Sequence, residues 1–224
     1  MLTIAIDGPC GAGKSSVAKA LSKRLGVSYF NTGDIYRTCA LFLYENKIDP
    51  NDDNTIDKEL PKADIEVKFI DGAQHAFLNG KDVTDMLHNT HMSAYTMQAG
   101  KNISVRNKIV QIQRSTAKAQ SVVMEGRDIG AVILPDANYK FFVTAKTETR
   151  AKRMLKDLLA KGEKIELEQV IKDVEARDYY DYHKPVGPLI QAEDSILIET
   201  DDLDLDGVID LIVSKISKED LENK

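Results

Sequence analysis

The chain has 224 residues but no tryptophan and only two cysteines, Cys10 and Cys39. Two cysteines are too few for a disulfide scaffold, so we expect a reducing compartment and a cytoplasmic protein. No apolar run approaches the roughly 20 residues of a membrane-spanning helix, and the first residues lack a secretory signal pattern. Hydrophobic residues make up 42% of the chain, which is ordinary for one globular domain.

Positive charge is also scarce, because 36 Asp and Glu outnumber 30 Lys and Arg and leave a net charge of −6. An acidic chain of this kind is not expected to bind nucleic acid or a membrane. Only eight of the cations are arginines, and seven of them lie in segments predicted to form a site or its lid: Arg37, Arg106, Arg114, Arg127, Arg150, Arg153 and Arg177. Guanidinium groups bind phosphate through two parallel hydrogen bonds, so this distribution favours a small, dense anion as ligand.

A complete G-x-x-x-x-G-K-S pattern occupies residues 8–15, between a short apolar run and a helical stretch that ends at Gly26. In this context the glycines let backbone N–H groups surround a polyphosphate at the start of a helix. Lys14 would reach the terminal phosphates, and the Ser15 hydroxyl would hold Mg²⁺. The pattern therefore predicts a nucleoside triphosphate site made of Gly8, Pro9, Cys10, Gly11, Ala12, Gly13, Lys14, Ser15 and Ser16.

Short apolar strands alternate with amphipathic helices along the chain, which predicts an α/β fold of three layers around a parallel sheet. A small antiparallel meander, with turns at Asp71-Gly72 and Asn79-Gly80, interrupts this pattern. We predict one domain with a core of residues 1–61, 93–150 and 186–224. Residues 62–92 would form an insert, and residues 151–185 a helical lid.

Four further segments accompany the phosphate loop: Asn31-Thr32-Gly33-Asp34-Ile35-Tyr36-Arg37; Val105-Arg106 with Gln113-Arg114; Glu125-Gly126-Arg127-Asp128-Ile129-Gly130; and Arg177-Asp178-Tyr179-Tyr180-Asp181 with 187–194. In this order and spacing the set resembles the bacterial cytidylate kinase family, which belongs to the nucleoside-monophosphate kinases. An N-K-x-D string typical of GTPases also occurs at 46–49, but it lies in a polar loop and is interpreted as a chance match.

The resemblance implies a monomeric enzyme that transfers the γ-phosphoryl group of MgATP to CMP and dCMP. It implies catalytic roles for Lys14, Arg127 and Arg177, and closure of Arg150 and Arg153 over the ATP phosphates. Arg37 and Arg127 would bind the acceptor phosphate, Arg106 and Asp128 would read the base, and Asp181 would hold the ribose. The full CMP set is Thr32, Arg37, Arg106, Arg127, Asp128, Asp181 and Lys184.

Several positions depart from the family pattern or have a plainer interpretation. Asn31 replaces the usual Asp and Asp34 a small residue, while Lys184 replaces an arginine and Met97 a small hydroxyl residue. Arg114, Arg150 and Arg153 could instead belong to solvated helix faces. The spacing of His88 and His91 allows a metal pair, but no third ligand lies nearby and no metal is expected there.

Alternatives therefore stay open at this point. The acceptor could be UMP or shikimate rather than CMP, or the chain could be a nucleotide-binding switch that transfers no phosphate. A switch protein has no evident need for the arginines outside the phosphate loop, Arg37, Arg127 and Arg177. The kinase interpretation is therefore preferred.

Overall fold

The computed structural model describes residues 1–87 and 90–222, with the backbone alone over 90–94. Its strands are β1 (Thr3–Asp7), β2 (Ser28–Phe30), β3 (Ile65–Ile70), β4 (Ala73–Leu78), β5 (Lys81–Asp82), β6 (Val122–Gly126), β7 (Tyr139–Thr144) and β8 (Ile196–Glu199). Its α-helices are α1 (Lys14–Leu25), α2 (Thr32–Glu45), α3 (Asp53–Glu59), α4 (Thr90–Ala99), α5 (Ile103–Ala119), α6 (Thr147–Ala160), α7 (Leu167–His183), α8 (Leu205–Val213) and α9 (Lys218–Glu222).

Five strands form a central parallel sheet in the order β2-β6-β1-β7-β8, and β3, β4 and β5 form a small antiparallel sheet. This confirms the predicted α/β fold with an antiparallel insert. The chain divides into two compact units, which are unit 1 (Met1–Val27 together with the chain from Val123 onward) and unit 2 (Ser28–Val122). The predicted boundaries of insert and lid stay a prediction.

In unit 1, β1 and β7 pair in parallel with Ile4 opposite Tyr139 and Ile6 opposite Phe141. Ile4, Ile6 and Phe141 are almost wholly buried, as the continuous apolar runs of these strands predict. Because parallel strands end at the same edge of a sheet, the chain segments that follow β1 and β7 meet there. This edge carries the phosphate loop.

Also in unit 1, α6 and α7 pack against each other through a small apolar cluster. Ala151, Val170 and Val174 are its buried members. The rest of both helices is largely charged and exposed, so the pair is held together by one narrow stripe.

Unit 2 contains the small sheet and the helices around it. Each of its two hairpin turns has positive φ at both central residues, with 52° and 79° at Asp71-Gly72 and 51° and 80° at Asn79-Gly80. These are the mirror-image turns that match the twist of paired strands, and Asp-Gly and Asn-Gly favour them. Both predicted turns are therefore confirmed.

A break at residues 100–102 separates α4 from α5. The Asn102 side chain accepts hydrogen bonds from the N–H groups of Ser104 and Val105 at 2.8 and 3.1 Å and so begins α5. This cap replaces the bonds that a continuous helix would have supplied. Every helix in the described part of the chain is too short or too polar to cross a membrane.

Candidate active site

The phosphate loop joins β1 to α1 in unit 1, and its conformation requires glycine at two points. Gly8 has φ of 148°, and a Cβ there would collide with the carbonyl oxygen of Val143. Gly13, with φ of 88°, precedes the first residue of α1 in the left-handed region. The backbone can therefore turn its N–H groups inward at the positive end of a helix, which suits an anion.

Lys14 is only 5% exposed, and its Nζ donates to the carbonyl oxygen of Pro9 at 2.7 Å. Burial and, to a lesser extent, the positive charge of Arg127 lower the pKa of Lys14 to about 8, while Glu125 acts in the opposite direction. The free protein therefore keeps the Lys14 ammonium group buried at a cost in free energy. An incoming polyphosphate would remove that cost by supplying the missing negative charge.

Ser15 and Glu125 bring together the oxygen ligands that Mg²⁺ prefers. The Ser15 hydroxyl donates to Glu125 Oε1 at 2.9 Å, and both residues line the cavity above the loop. A hydroxyl and a carboxylate fit the metal that the kinase family requires. Glu125 was missed as a site residue, although an acidic residue at the end of a strand beside the loop was a usable signal.

A cavity of about 800 Å³ extends from the loop over unit 1. Arg153 lines it and is held by the Thr200 side chain and carbonyl oxygen at 2.9 and 2.6 Å. The apolar part of its lining comes from Leu203, Leu205 and Val208. Polyphosphate-binding backbone and an apolar wall in one space of this size suit a nucleotide.

The carboxylate of Asp181 on α7 is wholly buried and gathers three cations. Arg127 Nε lies 2.7 Å from Asp181 Oδ2, Arg177 Nε 3.5 Å from the same oxygen, and Lys184 Nζ 3.3 Å from Oδ1. Burial alone would raise the pKa of Asp181, but attraction from Arg127, Lys184 and Arg177 holds it below its usual range. One negative and three positive charges leave a site for an anion.

Asp128 follows Arg127 directly after β6 and is 3% exposed. Its neighbour Arg127 lines the same cavity as Lys14 and Ser15. The role of Arg127 at a phosphate group stays a prediction. Arg177 is half exposed on α7, with its guanidinium 5.8 Å from the centre of the Tyr180 ring.

Arg150 is committed to protein groups and is almost fully buried. Its guanidinium pairs with both carboxylate oxygens of Asp178 at 3.0 and 2.7 Å. The same side chain donates to the carbonyl oxygens of Cys10 and Ala145 at 2.8 and 2.9 Å. In this structure Arg150 therefore ties the phosphate loop to α7, and its contact with ATP stays a prediction.

In unit 2 the predicted CMP residues lie in a polar network around the start of α2. Arg37 Nη1 lies 3.3 Å from Asp34 Oδ1, and Asn31 Nδ2 donates to the other Asp34 oxygen at 2.9 Å. The Asp34 charge, which departs from the family pattern, therefore lies against Arg37. Gln74 of β4 binds the N–H and carbonyl oxygen of Asn31 at 2.8 and 3.1 Å.

Thr32 and Arg106 are the other two residues of unit 2 that were predicted to bind CMP. Thr32 accepts a hydrogen bond from Gln113 Nε2 at 3.0 Å, and Arg106 is 9% exposed with Nη1 3.5 Å from the Tyr36 hydroxyl. The Gln113 side chain was not predicted as part of this region. Met97 is 58% exposed. His88 and the side chain of His91 lie outside the described residues.

Taken together, the fold and the glycine loop define a phosphate-binding-loop kinase of small molecules. The family model for cytidylate kinase matches residues 4–218. The cytidylate kinase of Thermosipho melanesiensis is 42% identical over 216 residues, 96% of each chain. That of Lactobacillus gasseri is 40% identical over 218 residues, which are 97% of this chain and 93% of its own.

Solved structures agree on the fold. A shikimate kinase from Bacteroides thetaiotaomicron gives a TM-score of 0.51 at 12% identity, covering 95% of this chain and 96% of its own. An uncharacterized protein from Eubacterium ventriosum gives 0.54 at 16% identity, covering 97% and 99%. At such identities only the fold is shared.

The chain belongs to the cytidylate kinase family. It is accordingly a nucleoside-monophosphate kinase, a phosphotransferase whose acceptor is a phosphate group. This confirms the resemblance inferred from the five motifs.

The pKa of Lys14 generates a test of the loop. We expect a non-hydrolysable ATP analogue to bind about tenfold more weakly at pH 9 than at pH 7, because Lys14 with a pKa of about 8 has then largely lost its proton. Isothermal titration calorimetry measures this change.

Because folding lowers the pKa of Lys14, the free protein should also gain stability as the pH rises from about 8 towards 10.5.

Lys14→Arg serves as the control, since a guanidinium stays charged throughout this range. Its affinity, whatever its value at pH 7, should not fall between pH 7 and pH 9. Equal pH dependence in the two proteins would contradict the role assigned to Lys14.

The Arg150–Asp178 pair generates a second test. Asp178→Asn and Arg150→Met should each lower the free energy of unfolding, by roughly 2–4 kcal/mol, because each leaves a buried partner uncompensated. The double variant should lose much less than the sum, with a coupling of about 1 kcal/mol or more in a denaturant double-mutant cycle. Glu148→Gln, which breaks the exposed Glu148–Lys152 pair on α6, is the matched control and should leave the midpoint unchanged. Additive losses would rule out the pairing.

Proposed function

We propose that this protein phosphorylates CMP, and dCMP as well, to the diphosphate with ATP as the phosphoryl donor. The observation that carries the proposal is that Arg127 lines the cavity of Lys14 and Ser15 while its Nε binds the buried Asp181. An arginine assigned to the acceptor phosphate thus faces the donor loop within unit 1. Membership of the cytidylate kinase family supports the same conclusion.

The acceptor itself needs little activation. A nucleoside monophosphate has a second pKa near 6 and is mostly a dianion at neutral pH, so its oxygen is a nucleophile without a general base. The protein has to bring two mutually repelling anions into line and stabilise the charge of the transferring phosphoryl group. Lys14, Arg127 and Arg177 are proposed to do this, and no step requires a catalytic histidine or serine.

For the donor, we assign the ATP phosphates to the loop residues and the remainder of the nucleotide to the cavity beside Arg153. Arg150 holds the Cys10 carbonyl oxygen of the loop and is proposed, like Arg153, to close over the ATP phosphates. Ser15 and Glu125 are the residues that would hold Mg²⁺. The ion, when bound, neutralises charge on the β- and γ-phosphates.

For the acceptor, we propose that Thr32, Arg37, Arg106, Arg127, Asp128, Asp181 and Lys184 bind CMP. Cytosine presents an amino donor beside two acceptors, so a carboxylate at Asp128 and a guanidinium at Arg106 match it. Uracil would turn an oxygen towards Asp128 instead. A mismatch of this kind in a site built from polar groups can discriminate strongly between bases.

The helices α6 and α7 are proposed to close over the bound nucleotides. Exclusion of water matters because water would otherwise take the phosphoryl group. We further propose a monomer in a reducing compartment, in line with Cys10 and Cys39 as free thiols.

The function is tested by incubating the purified protein with ATP, Mg²⁺ and each of CMP, dCMP, UMP and shikimate. We expect CDP and dCDP with one ADP per product, far slower reaction of UMP, and little ADP without acceptor. Turnover of UMP or shikimate but not CMP would overturn the base assignment. Nucleotide binding without any product would indicate a switch protein.

Asp128→Asn tests the base assignment directly. An amide can donate to uracil as well as accept from cytosine, so the ratio of kcat/KM for CMP over UMP should fall at least tenfold. The affinity for ATP should change less than threefold. Equal losses with both nucleotides and with ATP would show that Asp128 serves the structure instead.

A further inference from the structure

Asp7 is the last residue of β1 and immediately precedes the phosphate loop, yet its side chain does not belong to that loop. The carboxylate is 4% exposed. Its Oδ1 accepts from the N–H of Ile129 at 2.8 Å, and its Oδ2 accepts from the N–H of Gly130 at 2.7 Å. One buried side chain therefore binds two successive backbone N–H groups more than a hundred residues further along the chain.

These two N–H groups begin a short, wide helical turn over Ile129–Ile133. At the start of a helix the first N–H groups have no partner within the helix. Asp7 supplies both missing acceptors from a neighbouring strand. At the other end of the turn the N–H group has a local partner, because Ile133 N–H donates to the Asp128 carbonyl oxygen at 3.2 Å.

The bound segment comes directly after Arg127 and Asp128. The Arg127 carbonyl oxygen accepts from the N–H of Ile190 at 2.9 Å, so the chain is fixed on both sides of Asp128. A Cβ on Gly126 would lie 2.8 Å from the Ile129 side chain, which shows how tightly the turn folds over the end of β6. Movement of Ile129 or Gly130 would therefore displace the side chains of Arg127 and Asp128.

A carboxylate fits the geometry at position 7. Each of the two N–H groups is bound by a different side-chain oxygen, whereas an amide side chain offers one oxygen and a hydroxyl offers one. Asparagine would turn an NH₂ group towards one of the two N–H groups. This buried site would then contain two donors facing each other, which is costly.

The surroundings of Asp7 favour its protonated form more than water does. The pKa of Asp7 is raised to about 6, because burial and the negative charge of Asp128 together outweigh the two N–H groups and Lys14, which lower it. Because folding raises the pKa, the contribution of Asp7 to stability falls as the pH rises from about 4 to 6. A charge that lowers stability at neutral pH needs another reason to be present.

We propose that Asp7 is a positioning residue, which sets the Arg127–Asp128 segment against the phosphate loop so that acceptor and donor phosphates meet in line. It is joined covalently to Gly8 on the donor side and through two hydrogen bonds to the acceptor side. This inference rests on the proposed roles of Arg127 and Asp128. It assigns Asp7 no contact with either substrate.

The test compares Asp7→Asn with the unaltered enzyme. We expect the KM for CMP to rise at least tenfold and the CMP over UMP ratio of kcat/KM to fall at least threefold. The affinity for ATP, measured by calorimetry, should stay within threefold. Neither the selectivity ratio nor KM depends on how much of the protein is active, so a mere loss of folded enzyme cannot produce this result.

Asp52→Asn is the matched control, because Asp52 also accepts a backbone N–H, from Thr55 at 3.2 Å, but does so at the start of α3. It should leave all three quantities unchanged. An Asp7→Asn enzyme that keeps the original CMP KM and selectivity would overturn the proposal.

Asp7→Ser provides a second route if the asparagine variant does not fold, since it introduces a smaller side chain with one oxygen and no opposed NH₂. It should show the same rise in CMP KM and loss of selectivity. If neither variant folds, Asp7 serves folding and the positioning role is rejected. Failure of the unaltered enzyme to make CDP would instead overturn the proposed function, so the two failures are distinct.

Discussion

Cations that repel one another have to be held side by side before any nucleotide binds, and the buried carboxylate of Asp181 makes this possible. Arg127, Arg177 and Lys184 each lie within 3.5 Å of it. Without that negative charge, three cations around a buried point would be unstable. With it, the cluster keeps an excess of positive charge and remains available to an anion. The charged groups of the cluster are thus in place before the ligand binds. Such preorganisation lowers the free-energy cost of rearranging them during phosphoryl transfer.

A similar arrangement is found at the phosphate loop. There, protein oxygens accept hydrogen bonds from groups that are proposed to bind phosphate or Mg²⁺. Lys14 rests on the Pro9 carbonyl oxygen, and the Ser15 hydroxyl rests on Glu125. Each is a single hydrogen bond, so a bound polyphosphate or Mg²⁺ would replace it at little cost. Arg150 is different, because its several bonds to Asp178, Cys10 and Ala145 are buried and hold the loop in place.

The sequence predicted the fold well because its signals are local. The glycine pattern of the phosphate loop and the Asp71-Gly72 turn each depend on neighbouring residues only. Glu125, Asp7 and Asp178 were not predicted as functional because their partners lie 110, 122 and 28 residues away. Arg150 shows the limit most clearly: closure over the ATP phosphates was predicted, with a solvated helix face as the alternative, and neither interpretation indicated its buried pair with Asp178.

Helix α7 joins these features in one rigid element. Arg177, Asp181 and Lys184 are spaced four and three residues apart, so they share one face of the helix. Asp178 lies beside that face and binds Arg150, which holds the Cys10 carbonyl oxygen of the phosphate loop. A displacement of α7 therefore acts on the anion cluster and on the donor loop at once. If α7 closes over the nucleotides as proposed, coupling of this kind would let it respond to both of them without a separate sensor for each.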